Sequence, residues 1–140
     1  MEKDDKYYLE KAINEAKKAY QKNEIPVGVI IVIDNKIISR AHNLRDSTNI
    51  VTKHAEIIAI EKANKKINNW RLNNAKLYTT LEPCNMCKEV LKEARVTQVI
   101  YGAKNINSSE SIDFIQINDK NLIDMCENLI KNKFNEIRKR

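Results

Sequence analysis

The sequence predicts an α/β protein, a three-layer α/β/α sandwich on a five-stranded mixed sheet. Three observations carry this. Segments with a helical apolar period alternate with short β-branched runs. Residues 27–33 are apolar on both faces, which suits a strand covered by helices on either side. Residues 76–80, 83–93 and 96–101 read as strand, helix and strand in so short a space that the two strands must pair in parallel through a right-handed crossover.

Taken in order, residues 5–22 make the first helix, with Leu9, Ala12, Ile13, Ala16, Ala19 and Tyr20 on one face and Lys and Glu on the other. Pro26 pushes Ile25 out of the helical region and ends that run. Residues 27–33 follow as the central strand, Asp34-Asn35-Lys36 turns the chain, and residues 37–41 return as the second arm of a hairpin. Residues 42–51 have no periodicity; they read as a loop that forms one wall of a site. Residues 54–66 are helical, with Ile57, Ile58, Ile60 and Ala63 toward the sheet. After the strand at 76–80, Pro83 suits the first turn of the next helix. The strand at 96–101 is followed by polar residues 102–111, a fifth strand within 112–117 and a last amphipathic helix over 120–139.

The chain of 140 residues is long enough to bury a core as one domain, 1–140. No run approaches the roughly 18 apolar residues of a membrane span. The charged start, Met1-Glu2-Lys3-Asp4-Asp5-Lys6, has no apolar core of a signal peptide, so a cytoplasmic protein with no membrane partner is expected. Three cysteines, an odd number, argue against a disulfide framework. A net charge of +6 favours a polyanion, nucleic acid first; against that, Lys and Asn are abundant throughout and suit solvated surface.

Two stretches carry chemistry: Thr52-Lys53-His54-Ala55-Glu56 and Glu82-Pro83-Cys84-Asn85-Met86-Cys87. Each lies where a helix begins, so unpaired backbone N–H groups and the helix dipole favour thiolates there. The gap between Cys84 and Cys87 lets both sulfurs reach one ion from a single helical turn. With His54 they hold zinc by three protein ligands and leave the fourth position for water, while Glu56 serves as the acid/base. Each piece alone is common, and a lone Cys-x-x-Cys is equally a redox pair or half of a structural zinc site. The combination, His-x-Glu followed by Pro-Cys-x-x-Cys, is the signature of zinc nucleobase deaminases, among whose standing examples are the bacterial tRNA enzymes.

Further blocks extend the match: Glu24-Ile25-Pro26-Val27-Gly28, Arg40-Ala41-His42-Asn43-Leu44-Arg45, Trp70-Arg71-Leu72, Leu81-Glu82-Pro83 and Tyr101-Gly102-Ala103. Over residues 7–104 the chain resembles the bacterial tRNA adenosine deaminases, a family of the cytidine deaminase-like zinc deaminase superfamily. The resemblance implies a cytidine deaminase-like fold, zinc on His54, Cys84 and Cys87, Glu56 as proton shuttle, and Asn43 hydrogen-bonded to a flipped base with Ala55 beside it. It also implies conversion of the wobble adenosine of a tRNA anticodon stem-loop to inosine, by a homodimer whose site borders the interface. Lys53, Arg45 and Lys104 are the candidate RNA contacts. The chain departs from the family pattern at Lys53, where a small residue is usual, and after Ala103, where a glycine-rich segment is missing. Two other readings stand beside this one: a small-molecule deaminase of the same fold acting on guanine, cytosine or a nucleoside, and a non-catalytic zinc module completed by His42 or Cys126. His42 reads as a loop or packing residue, Cys126 as core, Trp70 as a packing anchor and residues 138–140 as a solvated end.

Overall fold

A computed structural model describes residues 4–108 and 114–138. The element order is α1 (Asp5–Gln21), β1 (Gly28–Ile33), β2 (Lys36–His42), α2 (Arg45–Thr48), α3 (Ala55–Ile67), β3 (Lys76–Leu81), α4 (Asn85–Glu93), β4 (Gln98–Ala103), β5 (Phe114–Gln116) and α5 (Lys120–Arg138). The sheet runs β2-β1-β3-β4-β5. β1 pairs antiparallel with β2 and β3, whereas β3–β4 and β4–β5 are parallel. The mixed five-stranded sheet is as expected, and the parallel β3–β4 pair is joined through α4.

Alternation along the strands divides the core. Val29, Ile31, Leu77 and Val99 pack with Ile58, Ala59 and Ala63 of α3 and Leu91 of α4. Ile30, Val32, Tyr78 and Ile100 pack with Leu9 and Ile13 of α1 and Leu122 and Cys126 of α5. Both faces of β1 are therefore covered, which is why its sequence is apolar without interruption. The two glycines lie where helices cross the sheet most closely. A Cβ at Gly28 would sit 2.0 Å from the Ala12 carbonyl oxygen of α1, and one at Gly102 would sit 2.4 Å from Cys126 Sγ of α5. Left-handed turns are made without glycine: Asn23, Asp34, Asn35, Asn49, Asn68, Asn74 and Arg95 all have positive φ. Asn and Asp tolerate that region because their short side chains hydrogen-bond locally.

Three expectations are corrected. Within the expected loop at 42–51, β2 extends to His42 and residues 45–48 form the short helix α2. α2 buries no side chain, so it leaves no apolar period to read. Pro83 is not in the first turn of α4: Cys84, extended at φ −66° and ψ 167°, is the N-cap, and Pro83 lies before it. Trp70 is half exposed rather than a packed anchor, with the Arg71 guanidinium 4.4 Å from its ring centre. Residues 112–113 of the expected fifth strand and 139–140 of the basic end lie outside the described residues.

Candidate metal and active site

The site lies where β3 ends and α3 and α4 begin. His54 is the N-cap of α3 and Cys84 the N-cap of α4, both extended and neither using its side chain to cap. The imidazole and the thiol are thus free to point across the gap between the helix starts, and Cys87 follows in the first turn of α4. His54 Nδ1 lies 3.9 Å from Cys84 Sγ and 3.6 Å from Cys87 Sγ. All three donor atoms fall within 4.8 Å of one another, and among the described residues they are the one group of three or more His, Cys, Asp or Glu side chains placed to hold a metal ion. In tetrahedral zinc, with Zn–N of about 2.0 Å and Zn–S of about 2.3 Å, nitrogen and sulfur ligands stand about 3.5 Å apart. The donor set and its spacing therefore fit zinc. Neither His42 nor Cys126 joins the cluster: His42 Nδ1 is 3.1 Å from Glu15 of α1, and Cys126 is buried against Gly102.

Glu56, one turn position into α3, is 4% exposed. Burial pushes its carboxyl up to about 7, with the Cys84 charge adding to the rise and a hydrogen bond from Cys87 opposing it. The two cysteines are driven apart. The Cys87 thiol hydrogen bond holds Cys84 down to about 5 despite burial, helped by the Cys87 and Met86 backbone N–H groups and by His54. Cys87, the donor in that contact and more deeply buried, is pushed up. A thiolate at the mouth of a helix and a protonatable carboxylate at neutral pH are what a metal ligand and a proton carrier require.

His54, Glu56 and Cys84 line an open cleft of about 120 Å³, together with Ile25, Val27, Asn43, Arg45, Ala55, Leu81, Glu82 and Asn105, while Cys87 lies buried behind them. Of the residues marked from sequence, the fold brings His54, Glu56, Cys84, Cys87, Asn43, Ala55 and Arg45 to this one place. Lys53 and Lys104 do not line it: Lys53 Nζ lies 3.8 Å from Glu61 of α3, and Lys104 is exposed beside Asn105. Ile25, Val27, Leu81, Glu82 and Asn105 were not marked, although all but Asn105 stand within blocks that the resemblance quotes. Glu82 is the polar surprise. Its carboxylate accepts from Lys88 Nζ at 2.9 Å, both side chains being almost fully buried, and from the Asn105 N–H at 3.2 Å. It thereby ties the residues after β4 to the start of α4.

Residues 2–103 match the family model described as the cytidine and deoxycytidylate deaminase zinc-binding region. The chain belongs to this family. Zinc is accordingly the metal that this deaminase region takes, in agreement with the donor set above. The chain is 48% identical over 99 residues to a protein of Bacillus subtilis named tRNA-specific adenosine deaminase, a match covering 71% of this chain and 62% of that one. It thus spans about three-fifths of the length of that curated relative. Among solved structures it is similar to one from work on A-to-I editing by tRNA:A34 deaminases at the wobble position of transfer RNA (32% identity, TM-score 0.74, 80% of this chain and 98% of that one). It is also similar to the guanine deaminase of Bacillus subtilis (34% identity, TM-score 0.71, 75% of this chain and 68% of that one). A more distant structure, of the guanine deaminase from Nitrosomonas europaea, at 15% identity and a TM-score of 0.81, shares the fold. Among the described residues no helix is long and apolar enough to cross a membrane.

Proposed function

We propose that this chain, as a single domain over residues 1–140, hydrolyses the wobble adenosine of a tRNA anticodon stem-loop to inosine with release of ammonia. The observation that carries the reading is the meeting of His54, Cys84 and Cys87 beside buried Glu56 on a cleft that also holds Asn43. The 48% identity to a protein named for tRNA-specific adenosine deamination supports the substrate.

In this reading His54, Cys84 and Cys87 are the metal ligands. When bound, zinc supplies a Lewis acid that brings the pKa of a water toward roughly 7. Glu56 takes the proton from the attacking water, hands it to the ring nitrogen, and protonates the departing amine. Its burial raises its carboxyl above the ordinary range, which suits a group that must accept and release a proton. Asn43 and Ala55 hold the flipped base, and Arg45 at the rim meets the phosphate backbone. Lys53 and Lys104 contribute at longer range, outside the cleft. The enzyme works as a homodimer in the cytoplasm.

The test is deamination of an anticodon stem-loop with adenosine at the wobble position, beside free adenosine, guanine and cytidine. Stem-loop turnover that weakens as salt rises is expected, because phosphate contacts release counterions. The guanine deaminase likeness makes a base deaminase the second reading. Salt-independent preference for free guanine would establish it and reject the RNA substrate.

A further inference from the structure

Glu24 lies in the turn between α1 and β1 and is fully buried. Three donors reach its carboxylate, all from α2: the Asp46 N–H at 3.0 Å, the Ser47 N–H and the Ser47 hydroxyl. α2 has four residues, no buried side chain and no side-chain cap of its own at Leu44. A helix so short is not stable by itself. A carboxylate accepting its first unpaired N–H groups supplies charge-assisted hydrogen bonds and complements the helix dipole. Glu24 caps α2 from 22 residues away in sequence.

α2 continues the segment that carries Asn43 and Arg45 into the cleft. The Asn43 side-chain oxygen accepts from the Arg45 N–H at 3.1 Å, so the orientation of its amide depends on where α2 begins. On the other side, the metal-binding cluster is anchored on α3 and α4, which bury apolar side chains in the core. The buried carboxylate thus braces the α2 end of the cleft wall, beside the Asn43 N–H bond to the Val27 carbonyl and the Leu44 N–H bond to the Lys53 carbonyl, while the metal-binding cluster draws its support from α3 and α4.

We infer that Glu24 is a positioning residue for substrate: through α2 it sets Asn43 and Arg45 against the base and its backbone without serving the metal centre. The inference rests on the proposed RNA deaminase reading for its substrate, but its structural half can be read without turnover.

The experiment compares wild type, Glu24→Gln and Ser47→Ala, each loaded with zinc. Glu24→Gln turns an acceptor-only group toward N–H donors with an amide that also donates; Ser47→Ala removes one donor on an exposed helix and leaves the core untouched. Expected for Glu24→Gln is a rise in KM for the stem-loop of about tenfold or more, with kcat changed far less, zinc content unchanged and faster amide exchange at Asp46 and Ser47. Ser47→Ala is expected to move KM and exchange the same way by less. Unchanged KM in both variants, or a matching loss of zinc and kcat in both, would overturn the inference. If the wild-type protein does not deaminate the stem-loop, the RNA reading fails. The exchange rates at Asp46 and Ser47 then still decide whether Glu24 holds α2, and unchanged protection in Glu24→Gln would refute it.

Discussion

Gly28→Ala tests the packing on which the sheet depends. The new Cβ would lie 2.0 Å from the Ala12 oxygen, 2.4 Å from the Ala16 nitrogen and 2.9 Å from Glu15 Cβ. The first two are helix backbone and cannot swing aside. To reach an ordinary contact of about 3.5 Å, α1 must retreat by about 1.5 Å over Gly28. A gap of about 0.5–1 Å already forfeits a quarter to a half of the dispersion energy of a contact, so this wider one forfeits more, and Leu9, Ala12, Ile13 and Ala16 all pack on this face. The expected cost is about 3 kcal/mol or more, or roughly 10 °C in Tm. Gly102→Ala provides the contrast. Its Cβ would meet Cys126 Sγ at 2.4 Å, a side-chain atom that Cys126→Ala removes. Urea denaturation followed by circular dichroism, run on both single glycine variants, Cys126→Ala and the Gly102→Ala/Cys126→Ala pair, gives the cycle. We expect the pair to be more stable than additivity allows by about 0.5–2 kcal/mol. A wild-type midpoint for Gly28→Ala, or strict additivity at Gly102 and Cys126, refutes the close-packing account.

Other expectations follow from the site and its supports. Glu56→Gln should keep its zinc and lose deamination by about a hundredfold to ten-thousandfold; metal analysis and turnover measure both, and unchanged turnover rejects the shuttle. Lys88→Met leaves Glu82 charged in the core and should cost about 3–5 kcal/mol in thermal unfolding, most of it recovered in Glu82→Leu/Lys88→Met; equal stability of wild type and the single variant contradicts the buried pair. Burial alone would raise the Glu15 pKa, but hydrogen bonds and charge from Lys18 and His42 outweigh it and hold it low. Its contribution to stability is therefore present above the ordinary carboxylate range and lost as pH falls through the lowered folded value. Glu15→Gln should be less stable than wild type at neutral pH and converge with it in acid, and a gap that persists in acid counts against the assignment. Cys126, its thiol pushed up to about 12 by burial and by Glu127, should resist alkylation at pH 8 until the protein is unfolded, as mass mapping of the labelled cysteines will show.

What could be read in the sequence was what repeats or what carries chemistry. α1, α3 and α5 show a helical period because one face of each is buried, and β1 shows none because both its faces are. The candidate metal ligands were legible because zinc chemistry admits few side chains at few spacings. α2 was not, since an element that buries nothing leaves no pattern. Nor were the buried carboxylates Glu24 and Glu82. Glu24 meets α2 across 22 residues and Glu82 meets Asn105 across 23, and a charged letter in a sequence reads the same whether it faces water or a hidden donor. The Asn content, read from the sequence as solvated surface, proves partly structural: Asn23, Asn35, Asn49, Asn68 and Asn74 occupy left-handed turns.

The two sides of the cleft differ in how they are anchored. One is rooted in the interior through α3 and α4; the other, α2, buries no side chain and is held by hydrogen bonds, those to the Glu24 carboxylate among them. Change in sequence can therefore reshape what enters without disturbing what reacts. Under the proposed function, substitutions in α2 would alter which base is accepted and leave the candidate metal ligands in place.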